Sequence, residues 1–161
     1  LGAHADAPSH YHALGDPIDA RPLEPYMGKC QVIRVQAPKK ALIGIEHFFP
    51  RPITAERVLF RTDSFPKPHR WVDTFNALEP NLIHYLADHS VKLIGLDTPS
   101  VDPADSKDLP AHQALFARDL CVLEGLDLSS VLDGEYTLVA LPLRLVGCDA
   151  SPVLAVLFVK D

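Results

Sequence analysis

Apolar residues recur along this chain in short runs, with no long helical stripe. Segments 30–37, 57–61, 91–96, 120–124, 136–146 and 153–159 are rich in Val, Leu and Ile, and several are bounded by Pro, Gly or Asp. That composition and punctuation predict β-strands. Two segments predict helices. In 80–89, Pro80 suits a first turn and Leu82, Ile83 and Leu86 share a face; 107–118 follows Ser106 as an N-cap. The expected fold class is a strand-rich α/β domain with few helices, and periodicity leaves mixed and parallel pairing equally open.

Composition sharpens this in three respects. Fifteen prolines in 161 residues exceed the usual share of about 5%, which favours short elements and defined loops over a helical bundle. With 47% hydrophobic residues, a chain of this length can bury one core, so a single domain spanning 1–161 is expected. The net charge of -6 comes without a Lys/Arg run, arguing against a nucleic-acid partner, and no apolar run approaches the roughly 18 residues of a membrane span. Cys30, Cys121 and Cys148 are widely spaced and odd in number, so they are read as reduced core thiols of a cytoplasmic protein. Opening on Leu1-Gly2-Ala3-His4, the chain reads as beginning inside a domain.

The densest group of metal-capable side chains is His4-Ala5-Asp6-Ala7-Pro8-Ser9-His10, followed by Tyr11 and His12. If the first residues are extended, the two-residue period puts His4 and Asp6 on one face and alanines on the other, and Pro8 lets His10 return from another direction. Catalytic zinc generally takes three protein ligands, so more must come from elsewhere. His112 on the second helix and Glu124 at the end of the next strand could be aimed at the same point, although an isolated surface His and a solvated Glu before Gly fit the residues equally well. No G-x-S-x-G elbow, H-E-x-x-H helix, P-loop or G-x-G-x-x-G fingerprint is present. Ser100 reads as a turn residue, and His47, His69, His84 and His89 as surface or packing histidines.

Taken together, Gly2 through Tyr11, Gly95-Leu96-Asp97-Thr98-Pro99-Ser100-Val101-Asp102-Pro103, Ser106-Lys107, Leu123-Glu124-Gly125-Leu126, and Ala140 through Arg144 with Asp149 through Val153 resemble the successive signatures of the metal-dependent kynurenine formamidases within the wider cyclase family. The resemblance implies a swivelling β/β/α-type fold, a homodimer and hydrolysis of N-formyl-L-kynurenine to L-kynurenine and formate. It further implies two divalent ions per subunit, with zinc first and manganese or cobalt as substitutes. His4, Asp6, His112 and Glu124 would be metal ligands, both carboxylates reaching both ions, and His10 the catalytic acid/base. A leading ligand histidine and a substrate-contacting aromatic of the family pattern would fall before Leu1. Ala3 and Leu154 depart from the pattern's Thr and Arg, and Trp71 does not match the aromatic. The alternatives are a related cyclase-family hydrolase acting on another aryl amide or lactam, and a non-catalytic metal-binding protein.

Overall fold

The computed structural model describes residues 2–66 and 70–159, which leaves His69 outside the described residues. Among the described residues ten strands form: β1 (His4–Asp6), β2 (Met27–Arg34), β3 (Leu42–Ile43), β4 (Arg57–Arg61), β5 (Ala77–Leu78), β6 (Leu93–Leu96), β7 (Cys121–Glu124), β8 (Gly134–Val139), β9 (Ala150–Pro152) and β10 (Val156–Val159). The α-helices among the described residues are α1 (Pro80–Asp88) and α2 (Pro110–Ala117). Eight strands make one sheet in the order β10-β8-β2-β4-β6-β7-β1-β9, and β3 pairs with β5. Its centre, β2-β4-β6-β7, is parallel, and its flanks are antiparallel. The pairing is therefore mixed, the alternative that periodicity could not choose.

The edge strands β9 and β10 are consecutive in sequence, joined only by 153–155. That link reaches about 14 Å at most, whereas eight flat strands would set the edges roughly 34 Å apart. The sheet must curl. One apolar cluster fills the inside of the curl, collecting Ala5, Cys30, Val32, Leu59, Leu93, Cys121, Leu123 and Leu138, with Leu157 packed against it. Alternate residues of the same strands, including Ile33, Val58, Phe60, Ile94, Leu96 and Val122, point outward beneath α1 and α2. The parallel strands are thus apolar on both faces, as a sheet buried on both sides requires. Helix α1 contributes Leu82, Ile83 and Leu86, all fully buried; each such side chain is worth about 1.5–3 kcal/mol of burial.

Several boundaries differ from expectation. The 136–146 strand stops at Val139, because residues 141–146 leave the sheet around Pro142, which has no N–H to give a ladder. The 30–37 strand begins at Met27 and ends at Arg34, and the 153–159 run keeps only its last four residues as strand. Helix α2 starts at Pro110, and Ser106 does not cap it: its hydroxyl instead accepts the Leu109 amide. The helix is capped from a distance by Asp102, whose two oxygens accept the Ala111 and His112 amides at 2.9 and 3.1 Å. Cys30 and Cys121 are buried free thiols as expected, with burial pushing Cys30 up to about 12. Cys148 corrects that reading, being exposed. No helix among the described residues is long and apolar enough to cross a membrane.

Candidate metal centre

Strand β1 lies between β7 and β9, antiparallel to both, with His4 opposite Glu124. Alternation sends Ala5 into the curl and turns His4 and Asp6 to the outer face. Helix α2 covers that face and supplies His112. Four residues from three elements converge here. His4 Nε2 stands 3.5 Å from Asp6 Oδ1 and 3.4 Å from Glu124 Oε2. His112 Nε2 stands 3.6 Å from Asp6 Oδ2 and 3.4 Å from Glu124 Oε1. Each carboxylate therefore offers one oxygen to each imidazole.

Both imidazoles are held by their other nitrogen. His4 Nδ1 lies 2.8 Å from the Gly2 carbonyl, and His112 Nδ1 lies 2.7 Å from Asp102 Oδ2. An Nδ1 proton donated to these acceptors leaves each Nε2 with a free lone pair, the arrangement metal-binding histidines use. Gly125 supports the first of these bonds. Its φ is +66°, and a Cβ there would sit 2.8 Å from the Gly2 oxygen that fixes His4.

The donors fit a divalent cation. His112 Nε2 is buried and has no hydrogen-bond partner among the described residues, a costly state unless something satisfies it. The separations of 3.4–3.6 Å are long for N–H···O bonds. They match ligands placed about 2.1 Å from a shared ion, which stand about 3.4 Å apart in a tetrahedral array. His4, Asp6 and Glu124 form a group whose ligand atoms lie within 4.8 Å of one another. The Glu and His that could have been solvated are buried: Asp6, Glu124 and His112 are 4, 2 and 3% exposed.

Charge follows from this crowding. The Glu124 carboxylate beside it pushes His4 up to about 9, against the effect of burial. Burial opposes charge on His112, yet Asp102, Asp6 and Glu124 together outweigh it and push the ring up to about 11. Burial would raise Glu124, but His112 and His4 hold its carboxyl below the usual range. Without metal at pH 7, both imidazoles carry protons, and a cation must displace them. Metal uptake at pH 7 is expected to release about two protons, and affinity to rise with pH, most steeply below pH 9. Calorimetry in buffers of different ionisation enthalpy counts those protons; a count of zero would show that both imidazoles are already neutral at pH 7.

His10 sits at the rim, its Nδ1 2.7 Å from Asp149 Oδ2 and its Nε2 4.0 Å from Asp6 Oδ2. The bond with His10 holds the Asp149 carboxyl below its ordinary range. His12 turns away and stacks on Phe116. Ser100 is a turn residue, its hydroxyl accepting the Asp102 amide, and His47 and His89 bond to nearby backbone. Sequence reasoning gave no role to Asp102 or Asp149. Asp102 lies ten residues before its histidine and Asp149 far along the chain, so only tertiary contact couples them. Beside His4 opens a cavity of about 170 Å³ with Phe65, Pro99, Leu126 and Leu128 in its walls.

The putative cyclase family profile matches residues 1–103. The kynurenine formamidase of Bordetella avium (strain 197N) is 46% identical over 157 residues, covering 98% of this chain and 75% of that protein. This chain belongs to the cyclase family. A second member, the kynurenine formamidase of Bordetella petrii, is 48% identical over 158 residues, with the same shares covered. Among solved structures, a potential metal-dependent hydrolase with cyclase activity superposes with a TM-score of 0.89 at 30% identity, covering all of this chain and 79% of that one. The curled mixed sheet with two helices is thus a cyclase-family architecture, as the resemblance implied.

Proposed function

We propose that this cyclase-family chain is a metal-dependent hydrolase that converts N-formyl-L-kynurenine to L-kynurenine and formate. The observation that carries the reading is the pair of buried carboxylates, each with one oxygen toward His4 and the other toward His112, in a chain nearly half identical to two kynurenine formamidases. Asp6 and Glu124 would bridge two ions, His4 ligating one and His112 the other. Such ions lower the pKa of water towards neutrality and polarise a carbonyl oxygen. Zinc suits the mixed imidazole and carboxylate donors, with manganese or cobalt as substitutes.

The remaining chemistry is proton movement. When water adds to the formyl carbon and the C–N bond breaks, the departing anilide nitrogen must gain the proton that water gave up. His10 Nε2 faces the carboxylates, while Asp149 holds Nδ1, so the ring would accept at one atom and return the proton from the same atom. His10→Ala is expected to lower turnover roughly 100-fold or more with metal content unchanged. Metal analysis of the purified variant decides between roles, since loss of metal would make His10 a ligand instead.

The proposal extends to a cytoplasmic homodimer. Leu143, Val146, Leu154, Phe158 and Val159 are all more than half exposed, an apolar surface that a second copy would cover. The direct test of the activity is formate release from N-formyl-L-kynurenine before chelation, after it, and after zinc is restored. Turnover that chelation leaves untouched, or none from metal-loaded folded protein, would turn the reading to another cyclase-family reaction.

A further inference from the structure

We propose that Asp127, on the rim of the cavity beside His4, pairs with the α-ammonium group of the substrate and so selects aryl formamides whose side chain carries an ammonium group. The inference rests on the formamidase reading and names what that site recognises. The cavity shares His4 with the cluster, so a group bound in it lies next to the reacting formyl carbon. Its volume of about 170 Å³ and its walls of Phe65, Pro99, Leu126 and Leu128 suit one aromatic ring; an apolar cavity of about 150 Å³ holds benzene.

Three carboxylates also reach the lining, and two are committed elsewhere. Asp97 accepts the Thr62 amide and hydroxyl and the Asp63 amide, which pins the turn after β4, and burial raises its carboxyl. Asp63 is neutralised by Arg61 at 2.7 Å on one oxygen and by Arg34 at 2.7 Å on the other. Asp127 differs. The residue is exposed; its Oδ1 accepts the amide and hydroxyl of Ser129, while its Oδ2 has no partner among the described residues. The bonds from Ser129 keep the carboxyl below its usual range, hence ionised at neutral pH. Leu126 and Leu128 flank it and turn into the protein, leaving the charge at the mouth.

Reach agrees with the assignment. Asp127 follows the buried Glu124 by three residues, at most about 10 Å of extended chain. In N-formyl-L-kynurenine an ortho-substituted ring and a short ketone arm separate the formyl carbon from the ammonium nitrogen, a span of several bonds that this bound accommodates. A carboxylate at the mouth is complementary to that ammonium, and the charge-assisted bond would favour the substrate by about tenfold, scaled down for exposure.

The test compares N-formyl-L-kynurenine with its desamino counterpart, 4-(2-formamidophenyl)-4-oxobutanoate, using metal-loaded wild type and Asp127→Asn. The Asn side chain keeps an oxygen for Ser129, so the turn survives. Wild type is expected to prefer the amino substrate about tenfold in kcat/KM, and the variant to lose that preference through a higher KM for the amino substrate alone. Equal losses on both substrates, or none on either, would overturn the assignment while leaving the formamidase reading intact. Turnover of neither substrate by wild type would overturn both.

Discussion

Glu124→Gln is expected to reduce bound metal to less than about one tenth and formate release by roughly 1,000-fold or more, as loss of several kcal/mol of charge stabilisation implies. Glu124 is buried at the end of β7, where Oε1 also accepts the Val101 amide at 2.8 Å. The Gln oxygen can keep that bond, and the side-chain volume is nearly unchanged, so the fold should persist. What changes is the other end: a neutral NH2 faces His4 Nε2, where a carboxylate oxygen lay at 3.4 Å. An amide donor there occupies the lone pair that a cation needs. Metal analysis and circular dichroism on the same preparation separate the effects. A folded variant with full metal would show that Glu124 is not a ligand.

Asp102→Ala should cost about 3 kcal/mol of stability and weaken metal binding by 10- to 100-fold. One 1% exposed carboxylate accepts two amides at the start of α2 and the Nδ1 of His112. Its removal leaves buried donors unsatisfied and frees the imidazole to turn or change tautomer. Helix α2 begins after Leu109 at φ +47°, an unfavourable conformation for leucine, and Leu109 itself supplies no side-chain cap. Denaturant unfolding and zinc titration measure the two losses. Asp102→Asn tests the charge separately, because its oxygen can take the place of Oδ2, which accepts both the His112 amide and Nδ1, while its NH2 faces the Ala111 amide. An Asn variant with unchanged zinc affinity would show that the hydrogen bond to Nδ1, and not the carboxylate charge, is what metal binding needs.

Much of this architecture was legible along the chain. The central strands β4, β6 and β7 and the helix α1 follow from apolar runs bounded by Gly, Pro and Asp, because a strand or helix buried in one core must be apolar wherever it touches that core. The alternation of His4 and Asp6 against small alanines was also visible, and β1 does place the two side chains together. Short paired elements such as β3, β5 and β9 were not legible. Two or three residues carry too little periodicity, and their pairing is decided by what lies beside them.

For this protein the local pattern determined which segments are strand or helix and which residue types could hold a metal, since both depend on spacing and side-chain chemistry alone. The tertiary structure decided that the sheet curls until its edges nearly meet, that Glu124 faces His4 across β1 and β7, and that α2 delivers His112 to the same carboxylates. It also chose Asp102 and Asp149 as the partners of His112 and His10. A hydrogen bond between residues 139 positions apart leaves no periodic trace in sequence, because its energy depends on distance in space and not on separation along the chain.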